Sequence, residues 1–241
     1  MITLTHRHVY KLVINANTFN FCDRFLISQY NSYQGKLPWG MKSIPGSTIC
    51  IDLTQSEEDI LQGCKSNTRN EIRRAIREEF FFEVVNSIDE FVSFYNAFAK
   101  SKGLDIINHE TLSKFGNNLA LYKSGKNDIT MSMHATSIDK EAGIATLLYS
   151  ASVRLEDNID RKDIGFSNRF LHYKEFLAFK NLGLSTYDIN GVCQDPNQKE
   201  KYSIGLFKAG FGGSLVTKLQ LLSFPWILAY NIKSFASKLW R

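Results

Sequence analysis

Residues 127–155 read NDITMSMHATSIDKEAGIATLLYSASVRL. Asn127–Ile138 and Ala142–Leu155 flank the polar stretch Asp139-Lys-Glu-Ala-Gly143, the pattern of two antiparallel strands joined by a turn. Around this pair, strands and helices alternate. Upstream, residues 1–16 read as a strand ending in Lys11-Leu-Val-Ile14, and Tyr30–Ser47 reads as a loop because Gly35, Pro38, Gly40, Pro45 and Gly46 punctuate it. Ser47–Leu53 alternates Ile49, Ile51 and Leu53 as a strand does. Thr54-Gln-Ser-Glu57 has the form of a capping box and predicts a helix running to about Glu79. Phe80–Asn86 is strand-like. Ser87 and Glu90 predict a second helix over 87–100, closed by Gly103, and a third is expected over His109–Ser124. Downstream come a polar loop over Glu156–Asp163, an apolar helix capped by Ser167 and ending at Gly183, a short strand Leu184–Ile189, and a polar loop Gly191–Lys201. The glycines at 205, 210, 212 and 213 demand unusual backbone angles or close approaches in that region. The sum is an α/β or α+β fold, a mixed central sheet with helices on both faces.

Composition sets the outer limits. The chain has 241 residues, 44% hydrophobic and 22% charged, which suits a globular protein and excludes a disordered one. That length is one large domain or two small fused ones. A net charge of +5 fits phosphate-bearing ligands or an anionic membrane surface and is too small by itself to argue for nucleic acid. Cys22, Cys50, Cys64 and Cys193 form no CxxC pair, so reduced, mostly buried thiols in a cytoplasmic protein are expected. Met1–Tyr10 has no apolar run of the secretory kind. The longest apolar run, Leu219–Tyr230, is broken by Gln220, Ser223 and Pro225 and does not reach bilayer-spanning length.

Four places carry candidate chemistry. In Arg161–Asn168, Lys162-x-x-Gly165-x-Ser167 lies where a strand gives way to a helix, so free amides and the helix dipole could receive an anion; an ordinary strand–helix junction looks similar. Gly205–Gly213 sets Lys208 between Phe207 and Phe211 among glycines, as a point charge for phosphate or as the lysine of a tight hairpin. Asp188, near the end of a short strand, is a candidate base or a structural carboxylate. Lys65, Arg69, Arg73, Arg74 and Arg77 form a basic helix flank, solvated or clamping an anionic substrate. The five histidines show no ligand spacing, and no metal is expected.

Three blocks resemble the Fem family of aminoacyltransferases and their short, single-unit relatives, a branch of the GNAT fold. They are Cys64-Lys-Ser-Asn-Thr-Arg69-Asn-Glu-Ile-Arg73-Arg-Ala75; Gly165-Phe-Ser-Asn168-Arg-Phe-Leu-His172-Tyr with Tyr187-Asp188-Ile-Asn-Gly191; and Ile204-Gly-Leu-Phe207-Lys208-Ala-Gly-Phe211-Gly-Gly213, similar to the family's G-x-x-x-F-K-x-x-F-G-G ending. The resemblance implies a GNAT-like mixed sheet and transfer of an acyl or aminoacyl group onto an amine. It implies a degenerate GNAT-like subdomain over 1–85, the acyltransferase domain over 86–218, and an amphipathic basic helix over 219–241. Donor contacts would fall on Lys162, Gly165, Ser167, Asn168 and the main chain around Leu148; acceptor contacts on Lys208, Phe207, Arg69 and Arg73. Asp188 would be a base, and Tyr149 or His172 would protonate the leaving group. The chain is shorter than the two-unit Fem enzymes. An acyl-CoA donor such as acetyl-CoA and an amino-sugar acceptor on a nucleotide or lipid carrier, in surface-polysaccharide synthesis, are therefore expected. Aminoacyl-tRNA with a cell-wall precursor is the alternative, and a non-catalytic binding module the third. The tail, where Leu221, Leu222, Phe224, Trp226, Ile227 and Leu228 precede Lys233, Lys238 and Arg241, is either a packed terminal helix or a peripheral contact with the inner face of a membrane.

Overall fold

The computed structural model describes residues 1–6, 10–153 and 159–239, with no side-chain description for residues 6 and 233–239. In chain order the first elements are β1 (Ile2–His6), β2 (Tyr10–Ile14), β3 (Ile27–Tyr33) and β4 (Met41–Asp52). Helices α1 (Glu57–Gly63) and α2 (Ser66–Arg77), strand β5 (Phe81–Val84), and helices α3 (Ile88–Lys102) and α4 (His109–Ser113) follow. Then come β6 (Leu119–Lys126), β7 (Ile129–Asp139), β8 (Ile144–Ser152), α5 (Arg161–Asn181), β9 (Thr186–Val192), α6 (Lys199–Lys208), β10 (Ser214–Ser223) and α7 (Phe224–Leu239). The mixed α/β architecture is the one the pattern implies.

The chain packs as two units. Met1–Thr48 with Val216–Arg241 is the smaller, and Ile49–Leu215 the larger; residue 85, where a division is expected, lies inside the larger unit. In the smaller unit β1 pairs antiparallel with β2, β2 parallel with β3, and β3 antiparallel with β10, around a core of Val13, Tyr30, Tyr33, Met41 and Leu221. Strands β3 and β4 take up much of the expected 30–47 loop. Residues 219–223 finish β10, burying Leu221 and Leu222, and α7 begins only at Phe224. The tail's basic Arg241 and the side chains of Lys233 and Lys238 lie outside the described residues, as do residues 156–158 of the expected 156–163 loop, whose last residues, from Arg161, are already helix.

In the larger unit the strand order is β4-β9-β8-β7-β6-β5. The β7–β8 pair is antiparallel, as its turn signals imply, and β8 runs parallel to β9. Both faces of β7 are covered. Ile138 joins the core made with α1, α2 and α5, around Ile72, Phe176, Phe179 and Phe211, while Met133 and Ala135 join the one made with α3 and α4. The helix expected over 54–79 is two helices: Cys64 and Lys65 are extended, and the true N-cap is Ser56, whose side chain accepts from Asp59 N. The third expected helix stops at Ser113. Asn108 and Thr111 cap it reciprocally, but Leu119–Lys126 pairs with both β5 and β7, and tertiary pairing overrides the local pattern. Of the four free cysteines only Cys64 is buried, and burial pushes its thiol up to about 11.

Candidate active site

The site begins where two strands part. β8 and β9 are paired at Ile144–Thr186, Ala145–Tyr187 and Thr146–Asp188, and the pairing stops there although both strands continue. On its other edge β8 carries a bulge. Its register against β7 passes from Leu147–Thr136 to Tyr149–Ala135 and skips Leu148. Asn190, in the left-handed region at φ 64°, closes the top of the split: its Nδ2 donates to Leu147 O at 2.9 Å, and its backbone N–H donates to Asp188 Oδ1 at 2.7 Å. Between the separated strands lies a cavity of about 620 Å³, lined by Leu147, Leu148, Ser150–Ser152, Ile189–Gly191, Asn168 and His172 of α5, and Ile204, Phe207 and Lys208 of α6, with Phe98 and Leu104 at its side.

Lys208 is the last residue of α6, not part of a hairpin. Its ammonium donates to Asn190 O at 3.1 Å and Gly191 O at 2.8 Å, which aims it into the cavity along the split. Burial lowers its pKa to about 8, with Asp188 opposing that shift. Two glycines hold this end of α6 in place. A Cβ at Gly210 would meet the Thr68 hydroxyl, and one at Gly212, at φ 77°, would run into the Gly63 carbonyl. Lys65 N donates to Gly210 O at 2.8 Å, tying the same turn to the start of α2.

His172 forms the floor. It is 1% exposed, its ring lies 4.3 Å from that of His134 and 4.7 Å from Phe211, and its Nδ1 has no hydrogen-bond partner among the described residues. Burial, then the neighbouring His134, Lys208 and Arg169, hold its pKa well below the ordinary histidine value, so the ring is neutral, with one donor and one acceptor nitrogen. Behind it is a fully buried polar hub. Glu175 Oε2 contacts His134 Nδ1 at 2.7 Å and accepts from Tyr187 OH at 2.8 Å, while Oε1 accepts from Thr136 Oγ1 at 3.1 Å. The other His134 nitrogen meets Asn168 Oδ1 at 3.1 Å. His134, His172 and Glu175 are ligand-type groups within 4.8 Å of one another. Both ring nitrogens of His134 and both oxygens of Glu175 are already engaged, however, and Lys208 and Arg169 are nearby cations, so the cluster is built as a hydrogen-bonded hub and not as a cation seat.

Of the residues singled out from the sequence, the structure brings Leu148, Asn168, His172, Phe207 and Lys208 to one cavity. Asp188 stands just behind it, buried, its carboxylate holding the Asn190 turn. The others lie elsewhere. Tyr149 stacks edge-on against Tyr95 at 5.0 Å, in the core beneath α3. The expected anion-binding loop is a correction: α5 already begins at Arg161 under an Asp160 cap, so Gly165, Ser167 and Asn168 are inside the helix with their amides in its ladder. Asp160 Oδ1 accepts from Lys162 N, and Ser167 Oγ is buried 2.7 Å from Ser132 Oγ. Arg69 is a second correction. Its guanidinium donates to Gln62 O and Cys64 O, satisfying carbonyls at the end of α1, and Arg73 stands half exposed, 3.8 Å from Glu58. His134 and Glu175 escaped the sequence reading. A signal existed in α5, where Asn168, His172 and Glu175 share one face at i, i+4 and i+7.

The fold has known counterparts. No protein-family model matches the sequence, and no curated protein sequence matches it. Among solved structures, FemX superposes with a TM-score of 0.64 at 13% identity, over 80% of this chain and 68% of FemX. L-PGS from Bacillus licheniformis gives 0.58 at 10% identity, over 91% of this chain and 79% of that one. The C-terminal DUF2156 domain of an Agrobacterium fabrum protein gives 0.57 at 11% identity with the same coverages. At these identities the likeness is one of fold, and it is the fold that the Fem-like blocks imply.

Proposed function

We propose that the protein transfers an acyl group from an activated carboxyl donor to the amine of an acceptor held in the cavity between β8 and β9. The observation that carries this reading is the split itself: a strand edge without a neighbouring strand, a bulge at Leu148, a neutral histidine and a cationic lysine, all on one cavity of about 620 Å³. An extended donor arm can lie along the open edge of β8 as an added strand. Main-chain N–H groups near the bulge then face the carbonyl where negative charge develops. The His172 ring, at the cavity floor, packs against the acceptor and orients its amine, Lys208 holds an anionic part of the acceptor, and Asp188 and Asn190 fix the lysine. Tyr149, packed against Tyr95, is not among the residues that line the cavity, and we assign it no role as the acid.

The acceptor we favour is an amino sugar on a nucleotide or lipid carrier, whose phosphates suit Lys208, and the donor an acyl-CoA. One observation supports the second reading, an aminoacyl-tRNA donor: the amides of 165–168 lie in a helix and offer no seat for a pyrophosphate. Incubating the purified chain with acetyl-CoA or with aminoacyl-tRNA and an amino-sugar nucleotide, and weighing the products, separates the two. An acylated amine formed from acetyl-CoA supports the first reading, and one formed only from aminoacyl-tRNA the second. Absence of acylated product with both donors would sink the transfer reading.

A further inference from the structure

The smaller unit holds nine of the chain's twenty-nine Lys and Arg residues but only one of its twenty-four Asp and Glu residues, a formal charge of +8 against −3 for the rest of the chain. That one acid, Asp23, is buried and bonded to Lys11 Nζ and the Tyr30 hydroxyl, so the pair cancels within the unit, and Lys218 is buried, while Lys36 and Lys42 are exposed. The same unit exposes large apolar side chains in three places. Phe21 and Phe25 stand out from the short 3-10 turn Phe21–Phe25. Trp39 is 83% exposed, with Lys36 and Lys42 exposed on either side of it, and the Arg24 guanidinium lies 3.7 Å from the Phe21 ring and 5.4 Å from that of Trp39. On α7, Phe224, Leu228 and Ile232 are exposed at i, i+4 and i+8, a single apolar stripe along the helix. The sequence after it adds Lys233, Lys238 and Arg241 with no acid.

We propose that this unit docks on an anionic lipid bilayer, its aromatic and aliphatic side chains entering the interface and its exposed lysines meeting the headgroups. The chemistry favours lipid over nucleic acid. A nucleic-acid surface presents rings for base stacking, whereas Leu228 and Ile232 in line with Phe224 offer aliphatic bulk that gains by leaving water for acyl chains. Trp39 flanked by lysines has the amphipathic form that suits the headgroup level. Each cation near an anionic surface adds attraction that salt screens. This docking does not depend on the transfer reading.

The test is sedimentation of the full chain with vesicles of phosphatidylcholine, alone or with about one third phosphatidylglycerol. Partition onto the anionic vesicles is expected to exceed that onto neutral ones by at least about tenfold, to fall with added salt, and to shift tryptophan emission to the blue. Trp39→Ala with Phe224→Ala, and separately Lys36→Glu with Lys42→Glu, should each weaken it by about tenfold or more while the melting temperature stays in place. Equal partition onto both vesicles, no partition, or indifference to both variant pairs overturns the proposal. So does salt-sensitive binding of tRNA in the absence of vesicle binding, which would reassign the surface to nucleic acid.

Discussion

Each unit buries a carboxylate bonded to a tyrosine hydroxyl, and the two are used differently. In the larger unit Glu175 gathers His134, Thr136 and Tyr187 beneath a histidine that opens on a cavity. In the smaller one Asp23 gathers Lys11 and Tyr30, while Ser28 Oγ donates to its backbone carbonyl, and the group is sealed. The lesson is that a buried hub becomes a candidate for chemistry through what it supports. Glu175 holds His134, whose ring packs against that of His172 at the cavity floor, whereas Asp23 ties two strands, β2 and β3, to one turn and presents no carboxylate to solvent.

Four substitutions probe that contrast, in descending order of effect. His172→Gln should lower acyl transfer by about 10²–10⁴-fold with secondary structure intact, read as product formed per enzyme; an unchanged rate would remove the histidine from the chemistry. Glu175→Ala leaves three buried groups without their acceptor and should reduce unfolding free energy by about 3–5 kcal/mol in denaturant titration. Asp23→Asn should cost less, about 1–3 kcal/mol, and leave transfer to a soluble acceptor untouched; if it abolished transfer, the two hubs would not be separable as argued. Arg73→Ala, at a half-exposed pair, should change stability by less than about 1 kcal/mol and leave the acceptor KM alone.

Lys208 sharpens the comparison through pH. Its folded pKa of about 8 lies below the ordinary 10.5, so its charge is lost as pH rises through about 8. The kcat/KM for an anionic acceptor should fall above that pH, and Lys208→Arg, which keeps its charge, should flatten that limb. Stability moves the other way. Between about pH 8 and 10.5 the unfolded chain holds the extra proton, so this residue's contribution to stability rises with pH over that window, a slope that Lys208→Met should remove.

Local patterns were legible in the sequence, and long-range ones were not. The β7–β8 pair could be read because its turn residues are contiguous, and Lys208 because its aromatic and glycine neighbours sit within a few positions. The start of α5 was misplaced because Ser167 looks as good a cap as Asp160, and only burial against Ser132 shows the hydroxyl turned inward. The His134–Glu175 hub joins β7 to α5 across forty-one positions, and no spacing rule reaches that far. The basic flank of α2 misled because charge alone does not say whether a guanidinium meets a ligand or a nearby carbonyl.

The glycine turn after Lys208 bears on the order in which the molecule assembles. It docks on the junction of α1 and α2, where Cys64 Sγ approaches Phe211 O across 147 intervening steps of chain. A nascent polypeptide that has emitted β8 and α5 still lacks the piece that fixes the lysine, so this corner is among the last to form. Until residues 210–213 emerge, α1 and α2 have no Gly210 or Gly212 to close against, and Leu61, Cys64 and Ile72 lack the Phe211 ring that completes their core.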